Sequence, residues 1–156
     1  CRMVDPGPYL EVLSERFGMD PDRFTERYLF FTCGRKYLYV LSAEHAVPPG
    51  PELTFSGIKF MRISMKVPKL TTEAAVAFGS HAERNVADLT PAQARAYFTR
   101  RSIELDEAAC LSCTGAGYVL VRAGSVTVGT AYLRAAAGGY TLESWFPKHW
   151  AEVISL

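Results

Sequence analysis

The sequence predicts an α+β protein in which an N-terminal antiparallel sheet with helices is followed by a small β barrel. Two observations support this prediction. Apolar residues first recur at helical spacing and then at the two-residue period of strands, and the same succession is repeated in the C-terminal half. The chain has 156 residues, 49% hydrophobic and 21% charged, which is the composition of an ordered globular protein. This composition excludes a disordered chain.

The first elements are predicted to be two helices. Leu10, Leu13 and Phe17 recur at i, i+3 and i+7, and Gly18 follows where a left-handed C-cap is expected. In "MDPDRF", Asp20 is the predicted N-cap of a second helix, and the proline after it suits the first turn, where a missing N–H costs nothing. The chain therefore begins with helices.

Strands are predicted next. "RYLFFTC" and "KYLYVLS" are aromatic and β-branched runs joined at residues 34–36, which is the spacing of a hairpin. "SGIKFMRIS" reads as a third strand after the proline- and glycine-rich loop "VPPGPE". These strands form the predicted N-terminal sheet.

Two further helices are predicted before the second set of strands. In "LTTEAAVAFGSHAERN", Thr71 or Thr72 is the N-cap. The buried stripe of this helix is predicted to be Ala74, Ala75, Phe78 and Ala82. In "LTPAQARAYF", Thr90 and Gln93 have the spacing of a capping box, with proline at the first helical position.

The C-terminal region returns to strand periodicity. "GYVLVRAGSVTVGTAYLRA" predicts two strands around residues 123–125, and "GYTLESWF" predicts a third strand after a pair of glycines. We place the boundary between two domains near Val86 to Thr90. The predicted domains are residues 1–87 and 88–156.

The segment "GYTLESWFPKHWAEV" can be core, docking surface or site. Strand alternation predicts that Leu142 and Phe146 point into the core. The two tryptophans are interpreted first as core or as a seam between the domains. The functional alternative is that Lys148, together with His149, faces phosphate at the mouth of the β unit.

The net charge is +1, so any interaction with a polyanion has to depend on local patches. Residues 53–72 contain four basic residues and no acidic one, and residues 108–142 contain Arg122 and Arg134 and again no acid. Phosphate contacts require such local donors. The alternative is that these are solvated strand faces whose acidic partners come from elsewhere in the fold.

The order of helix, hairpin, strand, basic turn, "LTTEAAVAFGSHAERNVADL" and "GYVLVRAGSVTVGTAYLRAAAGGYTLESWFPKHW" resembles the pre-PUA plus PUA arrangement of archaeal and eukaryotic ribosome-biogenesis proteins. PUA is the RNA-binding domain named for pseudouridine synthases and archaeosine transglycosylases. The second half is equally similar to the PUA-like tail of Sun-type rRNA 5-methylcytosine methyltransferases. The resemblance extends from Tyr9 to Trp150, and its best-matching parts are residues 117–121, Gly129 and residues 144–148.

The resemblance implies a PUA-like RNA-binding domain over residues 88–156 and a pre-PUA-like α/β domain over residues 1–87. The chain departs from the family at Ala123 and at residues 130–131, where members commonly carry a polar or aromatic residue and a glycine. The expected function is a non-catalytic module for ribosome biogenesis, rRNA processing or RNA modification. Its expected partners are RNA, from rRNA or a ribosomal precursor, and a separate catalytic or ribosome-assembly protein. The predicted RNA-binding residues are Lys59, Arg62, Lys66, Lys69, Arg122 and Lys148.

No motif indicates an enzyme. The sequence has neither the glycine-rich strand-to-helix turn that a methyl donor needs nor a Pro-Cys nucleophile, and its three histidines are far apart. We therefore predict no catalytic residues and no cofactor. An alternative of a different class is a protein-interaction or assembly domain that has the same fold without the RNA surface.

"CLSC" places Cys110 and Cys113 at the spacing of a zinc half-site or a redox dithiol. A closed zinc site would need Cys33 to approach from the first half of the chain. We favour two reduced thiols and no metal, with a metal site and a disulfide or redox pair as the alternatives. A metal or redox protein that uses Cys110 and Cys113 is accordingly a further alternative function.

No stretch of the chain approaches 18 continuous apolar residues, and the first residues lack the order of a secretory signal. These features predict a cytoplasmic protein without a membrane partner. Because the sequence starts with cysteine rather than methionine, we expect it to be part of a longer protein.

Overall fold

The computed structural model describes residues 1–44 and 57–154 and contains two five-stranded sheets. In the first sheet the strands follow chain order and every pairing is antiparallel. Its strands are β1 (Arg2–Met3), β2 (Tyr28–Thr32), β3 (Tyr37–Ser42), β4 (Ile58–Arg62) and β5 (Lys69–Leu70). The predicted hairpin and third strand are therefore confirmed, whereas the predicted loop "VPPGPE" lies outside the described residues.

The second sheet has the order β6-β8-β9-β10-β7 and curls into a half-barrel. Its strands are β6 (Val86–Leu89), β7 (Ile103–Leu105), β8 (Gly117–Ala123), β9 (Val126–Ala136) and β10 (Gly139–Ser144). The strand β6 pairs with β8 in parallel, and the other pairings are antiparallel. The three strands predicted here are confirmed as β8 to β10. In the described chain the sheet has two edges, β6 and β7, so the class is α+β with a half-barrel.

Five α-helices accompany the sheets in the described residues: α1 (Gly7–Phe17), α2 (Asp22–Thr25), α3 (Thr72–Phe78), α4 (Pro91–Phe98) and α5 (Lys148–Ile154). Gly18 ends α1 in the left-handed conformation, with a φ of 68°, as predicted. Thr71 caps α3, and the capping box of Thr90 with Gln93 opens α4. The prediction for α2 was off by one residue, since Pro21 occupies the N-cap position and Asp20 accepts the N–H of Asp22 from outside the helix.

The strands β1, β5, β6 and β7 and the helix α5 were not predicted. Each of these strands has two to four residues, which is too short to show a period in the sequence. Such short strands form because a neighbouring strand offers a complete ladder of backbone groups to pair with.

The buried residues form two clusters that correspond to the two sheets. The first cluster contains residues from Leu10 to Val86 and, in addition, Leu120 of β8. The second cluster lies inside the half-barrel and includes Leu142 and Phe146, as predicted. Because Val86 and Leu120 pack against the first cluster, the outer face of the half-barrel contacts the first half of the protein. The independence of residues 1–87 and 88–156 as domains stays a prediction.

Among the described helices, none combines the length and the apolar character that crossing a bilayer requires.

Candidate nucleic-acid interface

A row of side chains crosses the first sheet at β3, β4 and β5. Tyr37 is the register partner of Arg62, and Arg62 is the partner of Lys69. Register partners point to the same face of a sheet, so these three side chains lie side by side. The amino group of Lys59 lies 5.3 Å from the centroid of the Tyr37 ring, as does that of Lys36. This face of the sheet is therefore both basic and aromatic.

A second row crosses the half-barrel at β8, β9 and β10. Tyr118 pairs with Tyr132, and Tyr132 pairs with Glu143. The two tyrosine rings pack edge to face, with their centroids 5.2 Å apart. Trp145, which follows β10, packs edge to face on Tyr118 at 6.0 Å. The half-barrel thus presents three adjacent aromatic rings where it meets the first sheet.

Lys69 joins the two rows. Its amino group lies 3.6 Å from the centroid of the Trp145 ring and 5.8 Å from that of Tyr118. These distances fit cation–π contacts with both rings. We call Arg62, Lys69, Arg100, Tyr118 and Trp145 the seam cluster. Lys69 connects the two sheets, the other residues surround it, and Arg100, which follows α4, is close enough to repel its charge.

The positive charges of the seam cluster have no acidic partner in the described chain, where the ion pairs are those of Arg122 and Arg134. Burial lowers the pKa of Lys69 to about 8, and repulsion from Arg62 and Arg100 contributes to this shift. The protein therefore holds like charges together at a partly buried place. A bound anion would relieve this repulsion.

Two donors of the seam cluster are buried and have no hydrogen-bond partner within the described residues. They are Nε of Arg62 and Nε1 of Trp145. Buried donors in folded proteins are normally paired, because an unpaired one forfeits its hydration. Both groups can only donate, so a ligand that satisfies them has to bring acceptor oxygens or nitrogens.

Arg100 has an unusual backbone conformation. It follows α4 with a φ of 60°, a left-handed position where glycine is the common residue. Its guanidinium donates to the carbonyl oxygen of Phe146, at the end of the chain segment that carries Trp145. The side chain thus ties α4 to this segment and adds a positive charge near Lys69.

The structure brings Arg62 and Lys69 together, and it places Lys59 on the same face of the first sheet through their shared neighbour Tyr37. Lys66 is exposed in the turn between β4 and β5. Lys148 is exposed at the first residue of α5, with no hydrogen bond or ion pair to a described residue. Of the predicted binding residues, Arg62 and Lys69 thus belong to the seam cluster.

Arg122 differs from the other predicted binding residues because its charge is compensated. Its guanidinium donates from Nε and Nη2 to both carboxylate oxygens of Asp88, at 2.6 and 3.0 Å. This contact raises the pKa of Arg122. Asp88 lies on β6, which pairs in parallel with β8, so the acidic partner comes from outside the segment that lacks acids.

Arg134 is compensated in the same way as Arg122, by Glu143 at 3.1 Å. The interpretation of solvated faces with acids from elsewhere in the fold therefore holds for residues 108–142. It does not hold for the described residues of the basic segment 53–72, whose cations form no ion pair with a described carboxylate.

The sequence analysis did not predict Tyr118 and Tyr132 as site residues, although both lie in the predicted hairpin. In a regular hairpin with a two-residue turn at residues 124–125, Tyr118 would be opposite Ala131. A bulge between Val121 and Arg122 shifts the register by one residue, so Tyr118 faces Tyr132 instead. The bulge leaves no periodic signal in the sequence.

The cysteines do not form a metal site in the described chain, where no group of three or more possible ligands occurs. Cys33 is bonded to Cys1 in a disulfide, which removes it as the additional zinc ligand. Cys110 and Cys113 are free thiols. Burial raises the pKa of Cys110 to about 12 and also raises that of Cys113, which is unfavourable for a reactive thiolate.

No protein-family model matches the chain, and a search of curated proteins gives no significant match.

Proposed function

We propose that this protein is a non-catalytic RNA-binding module whose second half is PUA-like and whose seam cluster contacts the RNA. In this proposal it acts in rRNA maturation or RNA modification, together with a separate catalytic or ribosome-assembly protein. The observation that carries the proposal is the position of Lys69, stacked on Trp145 between Arg62 and Arg100 with no acidic partner among the described residues.

The chemistry of this cluster suits a single-stranded nucleic acid. Affinity for such strands comes from cations along the phosphate backbone and from aromatic rings on which bases stack. The seam cluster supplies both, and Lys59 and Lys66 extend the positive charge beyond it. The unpaired donors on Arg62 and Trp145 can be satisfied by phosphate oxygens or by base and ribose acceptors.

The test is binding of a fluorescent single-stranded RNA across a salt series. The parent protein should bind at low salt, and its logarithmic affinity should fall linearly with the logarithm of salt concentration. Each lost phosphate contact should reduce the slope by about 0.7 for a single strand. We expect Lys69→Met and Arg62→Gln each to reduce the slope by about this amount.

Arg27→Gln is the matched control. Arg27 is exposed and hydrogen-bonds to Ala43 through its backbone, at the opposite end of β3 from Tyr37. Removing this charge should leave the slope unchanged, and so should Arg122→Gln, since Asp88 already compensates that charge. An unchanged slope in both seam variants contradicts the proposed interface. Absence of binding by the parent at low salt would favour the protein-assembly alternative.

A further inference from the structure

A cavity of about 240 Å³ lies beside the seam cluster, between α1, the segment leading into β5, and the half-barrel. Its walls are mainly apolar, from Leu13 and Phe17 of α1 and Leu70 of β5. Lys69, Tyr118 and Tyr132 also line it, so it shares three side chains with the two rows described above. The cavity and the positive seam are thus parts of one continuous site.

One residue that lines this cavity carries a polar group without a partner in the described chain. Thr130 is 2% exposed and lines the cavity, and its hydroxyl forms no hydrogen bond with any described residue. Its backbone is held in place, because the carbonyl oxygen accepts from the hydroxyl of Tyr97 at 2.9 Å and from the N–H of Trp145 at 3.2 Å. A buried and unpaired hydroxyl, on a residue that lines an apolar cavity and whose backbone is held, points to a ligand that supplies the missing hydrogen bond.

The wall opposite the half-barrel is held by Arg16 of α1. Its Nε donates to the carbonyl oxygen of Tyr118 at 2.8 Å. This contact spans the cavity edge from the helix to β8 and fixes the spacing between the walls. The cavity is therefore built by both halves of the protein, and neither half alone contains it.

We propose that this cavity takes one unstacked nucleobase of an RNA strand, with its phosphate at the seam cluster outside. A cavity of roughly 150 Å³ holds benzene, so the larger volume here admits a heterocyclic base. The flat faces of the base meet the apolar walls and tyrosine rings, and an edge group hydrogen-bonds the hydroxyl of Thr130. The choice of a base rather than another flat molecule rests on the proposed function.

The first experiment uses the four nucleoside 5′-monophosphates, without any RNA. Each is added to the ¹⁵N-labelled protein, and the amide resonances of Thr130, Gly117 and Leu70 are followed by NMR. At least one nucleotide should shift these resonances in a saturable manner, with a dissociation constant on the order of 1 mM. Ribose 5-phosphate serves as the control, since it should shift the seam and leave Thr130 unaffected.

Thr130→Val and Thr130→Ser test the hydroxyl. Valine has the shape of threonine without the oxygen, so the variant should fold and should bind the nucleotide about 3- to 10-fold more weakly. Serine keeps the hydroxyl and should retain most of the affinity. Equal binding by the parent and both variants would overturn the assignment of Thr130.

The second experiment separates this proposal from the proposed function. A short single-stranded RNA is compared with the same strand carrying abasic positions, which should bind more weakly with the same salt slope. Equal binding of both strands, together with no shift from any nucleotide, overturns the proposal that the cavity takes a base. The proposed contact between the seam cluster and RNA phosphate is then unaffected. Shifts from a nucleotide without binding of any strand support the cavity as a site for a free nucleotide and contradict the RNA proposal.

Discussion

Replacing Lys69 by methionine should make the protein more stable while weakening its binding of RNA. Methionine keeps the length of the stem and its contact with the Trp145 ring, but it removes a charge that the fold holds at a cost. That cost is visible in the pKa of Lys69, which is lowered to about 8. Burial is the main cause, and repulsion from Arg62 and Arg100 adds to it. Opposite effects on stability and binding distinguish a functional lysine from a structural one.

The magnitude follows from the pKa. In the unfolded chain this lysine titrates near 10.5 and in the folded protein near 8, a difference that corresponds to about 3 kcal/mol at neutral pH. Since the side chain is partly exposed, solvent screening reduces the expected gain to about 1–2 kcal/mol. This gain is large compared with the effects of most surface substitutions, which stay within about 0.5 kcal/mol.

The sign of the pH dependence is also determined. Between pH 8 and 10.5 the unfolded chain holds a proton on Lys69 that the folded protein has released, so the parent gains stability as the pH rises through this window. The methionine side chain of the variant does not titrate. The free energy of unfolding of the variant should therefore exceed that of the parent by the largest amount below pH 8, and this difference should disappear toward pH 10.5. RNA binding by the parent should weaken as the pH rises through about 8, because protonated Lys69 is the form that attracts phosphate.

Urea unfolding of both proteins from about pH 7 to about pH 10, in a buffer without phosphate, measures the difference. Titration of all other groups is shared and cancels in the comparison. Lys66→Met is the control, since that lysine is exposed in the adjacent turn and its replacement should change the free energy of unfolding by less than about 0.5 kcal/mol. The reasoning is refuted if Lys69→Met is no more stable than the parent at neutral pH, or if its advantage is the same at every pH.

Three further predictions concern the cysteines and the two halves of the chain. Unfolded without reductant, the protein should react with two equivalents of a thiol reagent, at Cys110 and Cys113, and reduction of Cys1–Cys33 should lower the free energy of unfolding by about 2–4 kcal/mol. Four reactive thiols before reduction would contradict the disulfide and fit the predicted cytoplasmic location, where such bonds are rare. Purified protein should contain well under one zinc per chain and should melt at the same temperature with and without chelator; stoichiometric zinc would show that this is wrong. A C-terminal fragment starting at Asn85 should keep a β-rich circular dichroism spectrum and should be more stable than one starting at Asp88, which lacks the first half of β6; an unfolded Asn85 fragment would argue for a single fused domain.

Much of the fold could be predicted from local patterns. The helix that ends at Gly18 and the capping box at Thr90 depend on residues within one or two turns, and the structure confirms both. The hairpin of β8 and β9 was also predictable, because its turn and its period are local. Edge strands such as β6 were not, since their pairing depends on a distant strand rather than on their own four residues.

The candidate site was predicted only in part. Arg62 and Lys69 stand out in the sequence as cations without nearby acids, and the structure leaves them without an ion pair in the described chain. By the same criterion Arg122 was selected, yet Asp88 compensates it from a neighbouring strand. A count of charges along the chain cannot find such partners, because strand pairing brings together residues that are far apart in sequence.

By itself the sequence determined the α+β class, the helix ends at Gly18, Thr71 and Thr90, and the basic character of the segment around Lys69, because these depend on neighbouring residues. Only the tertiary structure decided which cations lack a carboxylate partner in the described chain, that Lys69 stacks on Trp145, and that Thr130 lines a cavity shared by both halves. These features depend on strand register, on one bulge and on the packing of the two sheets. Each is a contact between distant segments, whose geometry exists only when both segments are folded.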